Sequence, residues 1–206
     1  MSASLRIVCT AVCITVIAAA TAQGDETSTA VAKAERLYRQ GKLGQAFDQL
    51  ETARTLIARR LSTRYAKSFP PAPSGWRAEA VQFSTKGPHR VGRGLVLRRH
   101  YRQVGGPGVA TAKINIDQLG VIEAAQAWSP NEQHALAVKR KLVPIKGAAN
   151  AFLKFSEGRR TGNLYMFLAG RFYFTVSGRK VANSTFLTSL LSTWDFEGLK
   201  RTSGMN

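Results

Sequence analysis

From Trp76 to Gly178 the chain reads as a succession of strand-length segments with short breaks between them, and this pattern constrains the fold more than any other feature. The segments are 76–84, 94–104, 108–116, 135–144, 148–156, 162–169 and 171–178. Their breaks carry residues that end strands: Lys86-Gly87-Pro88, Gly105-Gly106-Pro107-Gly108, Glu157-Gly158 and Ala169-Gly170. Parallel neighbours need a crossover of a dozen residues or more. Most of these breaks are too short for that, so a doubly wound parallel fold is excluded and a largely antiparallel sheet of six or seven strands is predicted.

Alternation along the last two segments assigns faces. Leu164, Met166 and Leu168 point one way, Tyr165 and Phe167 the other; Phe172, Phe174 and Val176 oppose Tyr173, Thr175 and Ser177. Strands with apolar residues on both faces require cover on both. Helical segments are available for it. Residues 28–68 carry apolar positions at three- and four-residue spacing, broken by Gly41 and Gly44, which predicts two helices over 28–40 and 44–67. The arrangement is similar to a single tetratricopeptide unit. One such unit does not bury its own face and no second copy exists here, so a hairpin packed on the sheet is the simpler reading. Gln118–Trp128 has helical composition. Asn183–Trp194 is amphipathic, with Asn183 placed to cap it. The fold class that follows is α+β: a helical hairpin on one face, the C-terminal helix on the other, in a layered α/β/α-like sandwich. The expected organisation is a hairpin over 23–69, the stiff connector Pro70–Gly75, and an α+β domain over 76–206.

The N-terminus reads as an export signal over residues 1–22. Arg6 precedes the uncharged apolar run Ile7–Ala20, and Ala20-Thr21-Ala22 offers a small-x-small cleavage site after Ala22. The run falls short of the ~20 residues that span a bilayer, and polar Gln23-Gly24-Asp25-Glu26 follows. Cys9 and Cys13 both lie inside it. The mature chain is then expected to be cysteine-free, without a transmembrane span, and periplasmic or secreted, which excludes disulfides, thiolate nucleophiles and zinc–thiolate sites.

Three stretches form a shared scaffold pattern. The first is Ala46-Phe47-Asp48-Gln49-Leu50, running through Leu56-Ile57 to Pro70-x-Ala72-Pro73-x-Gly75-Trp76. The second is Gly147–Phe155 with Gly162-Asn163-Leu164 and Gly170–Gly178. The third is Trp194-Asp195-Phe196-x-x-Leu199. Together they resemble a family of exported proteobacterial proteins of uncharacterised function, built from a helical hairpin, a Pro-x-Ala-Pro-x-Gly-Trp connector and an α+β domain. A looser likeness is to PsbP-like domains, exported sandwiches that serve as accessory subunits. The resemblance implies a scaffold and a compartment and assigns no functional residue. Trp76, Asp195 and Phe196 are read as structural, since large aromatics usually pack.

Catalytic patterns are missing. The acids form no close pair of the glycosidase or aspartic-protease kind. His89, His100 and His134 lack ligand spacing, and there is neither a Gly-x-Ser-x-Gly elbow nor a phosphate loop. No metal and no cofactor are expected.

What remains is charge. The formal net charge is +18, one unit less once Arg6 is removed. Basic residues cluster at Arg59/Arg60/Arg64/Lys67, Arg98/Arg99/Arg102, Lys139/Arg140/Lys141, Arg159/Arg160 and Arg179/Lys180. Arg98, His100 and Arg102 share a face of the second strand, and Lys139 and Lys141 share a face of the fourth. These five are the candidate anion- or partner-binding residues. The partner expected in that compartment is an acidic protein or an anionic envelope component, not nucleic acid, because little aromatic residue accompanies the charge. The expected function is non-enzymatic: an accessory or binding protein with a basic surface. The alternatives are a carrier of a small apolar ligand held between sheet and helix, and an enzyme whose site is invisible in sequence.

Overall fold

The computed structural model describes residues 22–85, 94–118, 120, 123, 132–137 and 139–205. The expected signal peptide, except for Ala22, lies outside the described residues. So do His89 and most of the helix expected over Gln118–Trp128. The chain forms two compact units, one up to Leu56 and one from Ile57 onward.

The first unit holds α1 (Ala22–Arg39) and the start of α2 (Leu43–Ala66). Gly41 lies between them at φ +73°, a left-handed conformation open to glycine. There the Lys42 amide donates to the Leu37 carbonyl and the Gly41 amide to Tyr38, which closes α1. Ala30, Ala34 and Leu37 in α1 and Ala46 and Ala53 in α2 are its buried positions.

The second unit begins inside α2, not at the proline connector, because the last turns of that helix belong to the sheet's core. Ala58, Leu61, Tyr65 and Ala66 all pack there. The strands are β1 (Trp76–Ala78), β2 (Gln82–Ser84), β3 (Leu95–Gln103), β4 (Val109–Ile116), β5 (Lys141–Pro144), β6 (Asn150–Ser156), β7 (Thr161–Leu168) and β8 (Phe172–Arg179). They form one sheet in the order β1-β3-β4-β8-β7-β6-β5, with β2 also on β3, and every pairing is antiparallel. The α+β class and the antiparallel sheet are as the segment spacing predicts.

Alternation sorts the two faces as read. Leu97, Ala112, Ile114, Leu164, Met166, Phe174 and Val176 form one continuous core. Above it lie the end of α2, α4 (Ser184–Ser192) and α5 (Phe196–Thr202). Phe174 sits edge-on to both Trp194 and Phe196, at 5.0 and 5.4 Å. Tyr101, fully buried on β3, donates to the Pro70 carbonyl at 2.8 Å and ties the connector to the sheet, and Trp194 Nε1 donates to Ser68 Oγ at 3.2 Å, which ties the chain just after α4 to the segment that follows α2. Gly178 has no room for a side chain, since an added Cβ would lie 2.8 Å from Val181 Cγ1 and 2.9 Å from Leu187 Cδ2. Its bareness lets α4 approach β8.

The end of α2 and the C-terminal helices therefore share one face, whereas the sequence suggested one face each. The second face carries a smaller cluster, in which Ala135 of α3 (Glu132–Ala137) packs with Phe152 and Tyr165.

Three further differences have local causes. The expected strand 135–144 starts only at Lys141, because Ala135-Leu136-Ala137 favours helix and Lys139 turns the chain at φ +52°. The expected strand 76–84 is broken into β1 and β2. Ala78 pairs with Tyr101 but Gln82 with Arg98, so four steps oppose three and one residue bulges. A helix not read from sequence, α5, follows Asp195, whose carboxylate accepts from the Gly198 amide at 2.8 Å. Asn183 caps α4 as expected, accepting from the Phe186 amide at 3.1 Å.

Candidate functional site: the polar half of the second sheet face

Directly opposed residues of antiparallel strands point to the same side, so the register gives the second face as a grid. One row runs Arg102, Val109, Arg179, Thr161, Ser156 across β3, β4, β8, β7 and β6. The next runs His100, Thr111, Ser177, Asn163, Lys154. The third runs Arg98, Lys113, Thr175, Tyr165, Phe152, and the fourth contains Asn115, Tyr173 and Phe167. The face is thus graded from cationic and hydroxylic at one end to aromatic at the other.

The aromatic end is packed. Phe167 and Tyr173 stack at 4.7 Å with 12° between planes, and Phe152 lies 5.1 Å from Tyr165. The Arg140 guanidinium sits 4.4 Å over the Tyr165 ring. Burial pushes the Tyr165 hydroxyl above the usual tyrosine range.

The first two rows are not covered in this way. They floor an open concavity of about 850 Å³. Arg102, Lys154, Arg159 and Arg179 border it with His100, and among the described residues no carboxylate lines it. Between these cations the floor carries the neutral polar side chains of Thr111, Ser177, Asn163 and Thr161, with Val109 exposed between Arg102 and Arg179 and Phe155 at the margin. His100 Nδ1 and Thr111 Oγ1 are hydrogen-bonded at 2.9 Å, which orients the imidazole. Arg102 has an acidic neighbour outside the concavity, for its Nε donates to Glu79 at 2.7 Å. That hydrogen bond holds the Glu79 carboxyl below the usual carboxylate range. Beside the concavity, Lys113 is half-buried, and desolvation together with the Arg98 charge lowers its pKa.

The structure brings together part of the sequence-predicted set. Arg98, His100 and Arg102 do share this face. Lys139 and Lys141 do not join them. Lys139 occupies the turn before β5, and Lys141 opposes Leu153, which places it on the helix-covered side at the other edge of the sheet. Arg99 points to the covered side as well and donates to the carbonyls of Glu79 and Pro70, a structural role under the connector. Lys154, Arg159 and Arg179 take the place that Lys139 and Lys141 were expected to fill. Their basic character was visible in sequence, but their proximity to β3 depends on β8 pairing with β4, for which no local signal exists.

Trp76 and Phe196 are packing residues, as read. Trp76 stacks on Phe186 at 4.4 Å, and Phe196 is buried. No helix of the described residues is long and apolar enough to cross a membrane. No protein-family model, curated protein or solved structure matches the chain.

Proposed function

We propose that this is an exported, non-enzymatic binding protein that contacts an anionic partner through the polar half of its second sheet face. The observation that carries the reading is the composition of one concavity. Four guanidinium or ammonium groups and a histidine border it, and among the described residues no carboxylate does. A concave surface of one sign focuses its field outward and raises the local concentration of counter-charged ligand. Export, and membership of the exported family that the connector and hairpin motifs resemble, are part of the same proposal. They supply an envelope setting in which acidic proteins and anionic envelope components are the partners met.

The carrier reading draws on the apolar space between sheet and helices. In that space Leu187, Leu190, Leu191 and Leu199 are essentially fully buried against the core, which favours packing over a ligand.

The test is co-precipitation of the full chain with an acidic polymer under rising salt, beside the variant Lys154→Glu/Arg179→Glu. The expected result is retention of the wild type at low salt, release as salt rises, and little retention of the variant. Equal retention of both proteins would refute the proposed face.

A further inference from the structure

We infer that the anion taken by this concavity is an acidic glycan: a chain of sugar units bearing carboxylates or sulfates at intervals. This rests on the anionic reading above and narrows it to one ligand class.

The charged ends of the concavity lie far apart. His100 on β3 and Lys154 on β6 stand at opposite ends of one register row, with β4, β8 and β7 between them. Four inter-strand steps of roughly 4.8 Å separate them by about 19 Å. A single small oxyanion touches one end or the other. A ligand that engages both carries its charges along a chain, and about 850 Å³ of open space admits a segment of a few units.

The floor is suited to hydroxyl groups. Between His100 and Lys154 lie Thr111, Ser177 and Asn163, side chains that both donate and accept hydrogen bonds and carry no charge, while the neighbouring row sets Val109 and Thr161 on either side of Arg179. A ligand that is charged at intervals and hydroxylated between them matches that sequence of groups.

Other polyanions fit this surface less well. Single-stranded nucleic acid is held by stacking on exposed rings; Tyr165, Phe167 and Tyr173 pack on one another outside the concavity, and of the rings that line it Tyr101 is fully buried and Phe155 packs against the core on the other face. An acidic peptide added as a strand needs a free edge, and β4, β8 and β7 are paired on both sides. A planar membrane surface does not enter a concavity.

Fluorescence anisotropy with the full chain at fixed salt tests this with four probes: a hexamer of galacturonate, its monomer, a neutral hexasaccharide, and polyglutamate of matched charge. The expected order places the acidic hexamer at least tenfold tighter than polyglutamate, with monomer and neutral glycan weak. The variant Asn163→Ala/Ser177→Ala, checked for an unchanged melting temperature, is expected to lose most of the glycan's advantage and to leave polyglutamate binding within twofold. Polyglutamate equal to or tighter than the hexamer overturns the glycan assignment and leaves the anion-binding reading standing. Failure of every charged probe overturns both.

Discussion

Arg98 and Lys113 stand directly opposite each other on β3 and β4, a cross-strand pair of like charge, and neither forms an ion pair among the described residues. Like charges placed so are destabilising, and Lys113 is desolvated as well. Replacing Lys113 with Met is expected to raise the melting temperature of the free protein by about 2 °C. The sign follows from the lowered pKa: the charged form is disfavoured in the folded state, so folding gains stability as pH rises from the depressed value toward the ordinary lysine range. A melting curve for Lys113→Met that is unchanged or lower would show that the pair carries no cost.

Tyr101 gives the opposite pH dependence at the alkaline end. Burial pushes its hydroxyl up to about 12, and that hydroxyl donates to Pro70. A raised folded pKa means its contribution is intact below the unfolded tyrosine value near 10 and is lost as pH climbs toward about 12. Denaturant titrations between pH 9 and 12 are expected to show a steeper fall in stability for the wild type than for Tyr101→Phe. Parallel curves would contradict the assignment. At neutral pH the same variant loses about 1 kcal/mol, the ordinary worth of one buried hydrogen bond.

Gly178 marks where α4 meets the sheet. An alanine there places a methyl group inside van der Waals contact of Val181 and Leu187, and overpacking of this kind costs about 1–3 kcal/mol. Chemical denaturation of Gly178→Ala measures it. A change within 0.5 kcal/mol, the size of an ordinary surface effect, would mean that α4 moves away freely.

The Arg171–Asp117 pair joins the start of β8 to the end of β4. It is bidentate, at 2.7 and 2.6 Å, and Arg171 also donates to the Ser203 carbonyl at 3.1 Å beside the end of α5. Lysine keeps the charge but not the fork. Arg171→Lys is expected to cost roughly 1 kcal/mol, as for a surface pair of good geometry, and to raise amide exchange in α5 ahead of the sheet. Unchanged exchange in α5 would assign the pair no anchoring role.

Much of this architecture was legible because alternation is a local property. Leu164, Met166 and Leu168 against Tyr165 and Phe167 needed only their own spacing to declare two faces, and the structure keeps them apart. Ala135-Leu136-Ala137 was misread because a short apolar run has no period to separate helix from strand. Helix α5 was missed because its only signal was a capping aspartate three residues before a glycine. The site was half legible for a different reason. Within β3, the two-residue spacing placed Arg98, His100 and Arg102 together. Which other cations meet them depends on pairings between strands distant in sequence, such as Val109 with Arg179, 70 residues apart, and spacing along the chain carries no record of that.

The most direct measurement of the central proposal is the salt dependence of affinity for an acidic polymer. Each cation engaged releases counterions, so the logarithm of affinity falls linearly with the logarithm of salt concentration, and the slope reports the number of contacts. The proposal predicts a clear negative slope for the wild type and a slope shallower by about one to two for Lys154→Gln/Arg179→Gln. Identical slopes in the two proteins, or affinity that ignores salt, would contradict it.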